Sequence, residues 1–180
     1  MITNDQAMQK ALVVRCQHGE SRAMEELFLL HNRALGYYLC RMLSRDDVTD
    51  VQQEVWLTVL RRLRKLREPG AFVVWLYQIA RSKAIGQLKE RRPTMMDDTE
   101  VAAQGIDDDS PDFTFEDAAK IHEELTQLSE THREVLLLRF MEDLSYDQIA
   151  EIIGSSVGTV RSRLHYAKAA LRKRLEMNNE

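Results

Sequence analysis

The chain has 180 residues, 44% of them hydrophobic and 30% charged, and a net charge of −4, enough apolar material for one medium domain or two small ones. Its longest runs of Val, Ile, Leu, Met and Phe, such as VLLL from Val135 to Leu138, are four residues long, far short of the roughly 20 that span a bilayer. The opening MITNDQAMQK is polar and lacks the apolar core of a signal peptide, so a soluble cytoplasmic protein without membrane insertion is expected.

In chain order, helix is expected nearly throughout. Asp5 to Gln17 forms a first helix closed by His18-Gly19, and Ser21 is placed to cap the second. There Met24, Leu27, Phe28, Leu35, Leu39 and Met42 recur at helical spacing to about Leu43. Asp46-Asp47 starts a third helix, with Val51, Val55, Val59, Leu63 and Leu66 as its apolar stripe. The basic run Arg61, Arg62, Arg64, Lys65 and Arg67 near its end also suits the helix dipole. After a break at Pro69-Gly70, Phe72, Trp75, Leu76, Ile79, Ala80 and Lys83 mark a fourth helix to about Arg92. Trp56 and Trp75 each sit in an amphipathic pattern that suits core packing.

From Thr94 to about Asp112 the composition turns acidic and aperiodic, as in a flexible linker whose like charges keep it extended. Residues 1–92 hold 16 Lys and Arg against 10 Asp and Glu, whereas residues 93–120 hold one Lys against nine acids. This asymmetry points to a nucleic-acid partner. The acidic strip, through Asp97, Asp98, Asp107, Asp108 and Asp109, is expected to compete with DNA for the basic faces of the free protein.

Helix resumes near Phe115 to Leu128, then from Glu130 to Met141. Ser145 and Gln148 fit a capping box for a short helix carrying Ile149, Ile152 and Ile153. Gly154 is suited to stop it, and Ser155 or Ser156 to cap the next. Val160, Leu164, Ala167, Leu171 and Leu175 then form one buried stripe. The pattern is a helix-turn-helix, whose second helix lies in the DNA major groove. That helix, Val157 to Leu175, contains six cations and no acid. Thr159, Arg161, Ser162, Arg163, His165 and Tyr166 are left facing outwards or sideways, where Arg suits guanine and Ser or Thr suits several bases. Lys168, Arg172, Lys173 and Arg174 lie further on, placed for phosphates. Two amphipathic helices joined by Gly also occur in plain bundles, and terminal cations also stabilise a helix through its dipole.

At this point the residues resemble a known family. "LSETHREVLLLRFMEDLSYDQIAEIIGSSVGTVRSRLHYAKAALRKRL" looks like region four of bacterial sigma factors, in the extracytoplasmic-function (ECF) group of the sigma-70 family. "DVTDVQQEVWLTVLRRL" looks like region 2.2, and "FVVWLYQIARSKAIGQLKERR" is similar to regions 2.3 and 2.4. The resemblance implies an all-α chain of two small helical domains: region two over 1–92, an acidic linker over 93–114, and region four over 115–180. It implies a promoter-specificity subunit that binds core RNA polymerase. Asp50, Gln53, Glu54 and Trp56 would dock on the β′ clamp helices, and region four on the β flap. Region four would read the minus-thirty-five element through Ser155, Ser156, Thr159, Arg161, Ser162, Arg163, His165, Tyr166, Lys168 and Arg172. Region two would take the minus-ten element with Ala80 to Leu88 and the cations Arg81, Lys83, Lys89, Arg91 and Arg92, beside Ser82. Family members often carry Asn at the position of Ser82, Asp at that of Gly86 and a basic residue at that of Tyr166, so promoter preference is expected to differ here. An anti-sigma partner is common in the family, and nothing in the sequence identifies one. The free protein is expected to be a monomer.

Two other readings stay open at this stage. An autonomous helix-turn-helix regulator would need a sensory domain in front, which the helical, basic residues 1–92 fit poorly. A helical protein-binding adaptor leaves the cationic segments unexplained. No P-loop, Gly-rich nucleotide motif or Ser-His-Asp pattern is present, so no catalytic residue, cofactor or enzyme activity is expected. Cys16 and Cys40, and His18, His31, His122, His132 and His165, lack metal-ligand spacing.

Overall fold

The computed structural model describes residues 4–91 and 124–177. It divides into two compact units, Met1–Met95 and Met96–Glu180, and every regular element among the described residues is helical. The expected linker, 93–114, lies outside the described residues, as do Arg92 and residues 115–123 of the helix expected there. Residues 124–126 are helical.

The first unit contains α1 (Asn4–Gln17), α2 (Ser21–Met42), α3 (Arg45–Arg62) and α4 (Phe72–Arg91), with short 3₁₀ turns at Leu63–Lys65 and Pro69–Ala71. The α1–α2 turn passes through Gly19 at φ +88°. Ser21 is not the cap expected of it but the first helical residue; Glu20 holds the cap position, because its carbonyl accepts from the Met24 N–H at 3.3 Å. The Glu20 carboxylate makes no cap bond. It is held instead by the Arg15 guanidinium, whose Nε donates at 2.8 Å and which keeps it below the usual carboxylate range.

The core gathers Leu12 and Val13 of α1, Leu27, Leu35 and Leu39 of α2, and Val51, Val55 and Val59 of α3. From α4 it takes Phe72, Leu76, Tyr77, Ala80 and Ala84. The buried face of α4 is therefore rotated from the expected stripe: Trp75, Ile79 and Lys83 flank it, half-exposed. Tyr38 meets Tyr77 edge to face at 5.1 Å, a favoured aromatic geometry. Gln17 Nε2 donates to the Leu63 and Leu66 carbonyls at 3.0 and 2.7 Å, so α1 pins the turn that ends α3.

The second unit contains α5 (Glu130–Met141), α6 (Tyr146–Ile153) and α7 (Val157–Met177). Arg133 ties α5 to the preceding segment, its guanidinium donating to the carbonyls of Leu125, Thr126 and Leu128 at 2.8–2.9 Å. These carbonyls lie at the end of a short helical turn, where acceptors run out of backbone donors, and that of Leu125 also accepts from the Leu128 N–H at 3.3 Å. The expected capping box forms in full: Gln148 N–H donates to Ser145 Oγ at 3.2 Å, and Ser145 N–H to Gln148 Oε1 at 2.9 Å. Gly154 ends α6 in the left-handed region, φ 68° and ψ 37°. Ser156, not Ser155, caps α7 by accepting from the Thr159 N–H at 3.1 Å. Val160, Leu164, Ala167 and Leu171 are buried with Val135, Leu138 and Ile149, while Leu175 is only half-buried.

Candidate nucleic-acid and polymerase interfaces

In the second unit the αL turn at Gly154 and the Ser156 cap set the entry of α7, the second helix of the helix-turn-helix. Arg161, near its start, is exposed and makes no ion pair among the described residues. Arg163, His165 and Arg172 are half-buried, and Tyr166 is 47% exposed with its ring edge-on to His165 at 5.5 Å. The Ser156 and Thr159 hydroxyls lie 2.9 Å apart, so the α7 cap engages both. Ser155 is half-buried beside them.

Two expected DNA contacts are corrected. Ser162 is only 3% exposed, and its hydroxyl donates to the Thr159 carbonyl at 3.0 Å, satisfying itself within the helix. Lys168 is also 3% exposed, with Nζ 5.8 Å from the centre of the Phe140 ring. Both face inwards because α7 packs against α5 and α6 together. Arg174, expected on phosphate, donates from Nε to the buried Glu124 carboxylate at 2.8 Å. Lys173 stays exposed. His132 on α5 faces Arg163, and burial first, then that charge, push its imidazole below the usual histidine value.

In the first unit, Asp50, Gln53 and Glu54 are exposed on one face of α3, as their i, i+3, i+4 spacing requires. Trp56 takes the core place its amphipathic pattern suits, not the docking place the resemblance implies. It is 7% exposed, its ring meets Phe28 at 5.0 Å and its indole N–H donates to Asn32 Oδ1 at 3.0 Å. Gln52 Nε2 donates to the same oxygen at 2.6 Å and to the Asn32 carbonyl at 2.7 Å. Asn32 and Gln52 are thus a polar node beneath the exposed face, missed in the sequence because its members sit on two helices. Leu57 and Leu60 are about half exposed and extend that face. Their place off the Val51, Val55, Val59 stripe is the signal that could have found them.

On α4, Ser82 and Lys89 are exposed and Arg81 and Lys83 half-buried. Arg91 ends the helix, and Arg92 lies outside the described residues. Helix runs unbroken through Ser82 and Gly86, and a Cβ at Gly86 would meet nothing within 4 Å. Lys83 Nζ reaches Glu54 Oε2 at 2.7 Å, joining a strand-binding candidate to a polymerase-binding one. Among the described residues no cluster of three or more His, Cys, Asp or Glu could hold a metal. No described helix is long and apolar enough to cross a membrane.

Family comparisons agree with this geometry. The family described as Sigma-70 region 2 matches residues 27–94, and Sigma-70, region 4 matches residues 118–171. The RNA polymerase sigma-H factor of Pseudomonas aeruginosa is 35% identical, covering 98% of this chain and 97% of the relative. The ECF RNA polymerase sigma-E factor of Haemophilus influenzae is 32% identical, covering 96% of this chain and 97% of its own. In fold, the chain is similar to CnrH, solved in complex with the cytosolic domain of CnrY, at a TM-score of 0.68 and 23% identity, covering 94% of this chain and 97% of that one. The sigma factor RpoE of Bartonella quintana, solved with the anti-sigma factor NepR, gives 0.66 at 23% identity, over 84% of this chain and 96% of that one. With both regions matched in order and relatives of this identity along nearly its whole length, the chain belongs to the sigma-70 family of RNA polymerase sigma factors, in the ECF group.

Proposed function

We propose that the two units of this sigma factor divide the work of promoter recognition in the cytoplasm. The first docks on the β′ clamp helices of core RNA polymerase through Asp50, Gln53 and Glu54, with Leu57 and Leu60 as the apolar part of the same face. With α4 it takes the melted minus-ten strand, through the cations Arg81, Lys83, Lys89 and Arg91, with Ser82 beside them and Arg92 next in sequence; single strands need such positive charge. The second docks on the β flap and reads the minus-thirty-five duplex, with Arg161 as principal base contact. Ser155, Thr159, Arg163, His165 and Tyr166 flank it, and Arg172 and Lys173 lie on phosphate. Ser156 serves as the cap. The observation that carries this reading is Arg161, exposed and without an ion pair among the described residues, at the start of a helix whose entry is fixed by Gly154 and Ser156.

The test is to mix the full chain with core polymerase lacking any sigma, separate by size exclusion, and follow with run-off transcription. A one-to-one complex that initiates at a defined promoter is expected. Duplex binding by the chain alone, with no polymerase complex, would refute the reading in favour of an autonomous regulator.

A further inference from the structure

Polar links of different character cross the α3–α4 seam, and two of them bear on function. Gln87 Nε2 donates to Asp47 Oδ1 at 3.0 Å, and Asp47 is buried and also accepts from the Ser44 hydroxyl. That link is structural. The second joins Lys83 Nζ to Glu54 Oε2 at 2.7 Å, with side chains 29% and 61% exposed. Neither residue makes another ion pair among the described residues. The apolar seam of Val51, Val55 and Val59 with Phe72, Leu76 and Ala80 is buried.

We propose that the Glu54–Lys83 pair is an internal latch that couples the two binding surfaces of the first unit. While the Glu54 carboxylate has no outside partner, it holds the Lys83 ammonium away from phosphate. A cationic partner surface that takes the carboxylate releases Lys83 to a nucleic-acid strand. The latch rests on the assignment above of Glu54 to polymerase and Lys83 to DNA. By linkage it is reciprocal: a strand that draws Lys83 away frees Glu54 for polymerase by the same factor. The geometry favours a switch over a strut, because a pair this open to water exchanges partners at little cost. An exposed ion pair limits the coupling to about two- to fivefold, and salt screens it.

The test measures binding of a short fluorescein-labelled oligothymidylate to the full chain, without polymerase, at low and high salt. Four proteins are compared: wild type, Glu54→Gln, Lys83→Gln and the double variant. Glu54→Gln should bind about two- to fivefold tighter than wild type at low salt. The gain should vanish at high salt and be absent between Lys83→Gln and the double variant. Equal affinities for wild type and Glu54→Gln overturn the latch, as does a gain that persists without Lys83, which would be a general charge effect. Strand binding too weak to detect in every variant at low salt overturns it too. Complex formation between wild type and core polymerase is scored separately, so a failed latch and a failed polymerase reading give different results.

Discussion

The turn at Gly154 offers a clean test of how the second helix of the helix-turn-helix is set. Gly154 stands at φ 68° and ψ 37°, and a Cβ added there would meet nothing within 4 Å. Gly154→Ala therefore carries no steric clash with neighbours, and its cost is the backbone penalty alone, about 1–2 kcal/mol for an L-residue in this region. Gly154→Asn should cost less, because Asn tolerates the left-handed conformation. The assay is urea denaturation of the full chain followed by two signals. Both tryptophans, Trp56 and Trp75, belong to the Met1–Met95 unit, so fluorescence reports that unit, whereas helical circular dichroism reports both. With a urea slope of about 1–3 kcal/mol/M, Gly154→Ala should lower the midpoint of the dichroism component from the second unit by roughly 0.3 to 2 M. The tryptophan midpoint should not move. An unmoved dichroism transition, or Asn costing as much as Ala, would refute the assignment of positive φ as the reason for glycine here.

Three further outcomes follow from particular contacts. Ser145→Ala removes the side-chain half of the α6 capping box and should destabilise the second unit by about 1 kcal/mol, read by the same dichroism component. Arg161→Ala should cost promoter-duplex binding about 1–3 kcal/mol and relax sequence preference, whereas Ser162→Ala, at a buried self-bonded hydroxyl, should leave preference intact in a competition binding assay. The His132 imidazole is held below its ordinary value of 6.5 by burial and by Arg163. The unfolded chain then binds the proton more readily, so stability is full above that value and falls as pH drops below it. His132→Gln should flatten this slope in denaturation midpoints measured across mildly acidic pH.

What the sequence made legible is what short-range chemistry decides. The capping box, the glycine stop and the buried stripe of α7 as far as Leu171 each depend on residues within one or two turns, and each forms as their spacing requires. The stripe locates the centre of a buried face but not its width. Width depends on how many helices pack around it, and α7 packs against two, which is why Ser162 and Lys168 turn inwards. Trp56 takes the core place its pattern suits, but for a reason the pattern does not show. A tryptophan is readily buried only where its N–H finds an acceptor, and the acceptor is Asn32 on another helix. The long-range partners Glu54–Lys83 and Glu124–Arg174 leave no mark in the pattern, since nothing local selects them.

That limit changes how the cationic helix is to be counted. Between Val157 and Leu175 the sequence places six cations, and charge alone treats all six as available to DNA. Lys168 is covered and Arg174 is held by Glu124, so no more than four of the six, Arg161, Arg163, Arg172 and Lys173, can reach DNA with those contacts kept. Each phosphate neutralised on duplex DNA contributes about 0.9 to the slope of log affinity against log salt. The helix can therefore supply a slope of at most about 3.6, against about 5.4 for all six. Titrating a promoter duplex at several salt concentrations separates the two cases. Lys173→Gln should reduce the slope by about 0.9, while Arg174→Gln should leave it unchanged even if it lowers affinity. The slope is the right readout because a small loss of folded protein shifts every affinity equally, whereas a lost phosphate contact changes its dependence on salt. If Arg174→Gln loses as much slope as Lys173→Gln, the Glu124 pair gives way on binding and Arg174 belongs to the DNA.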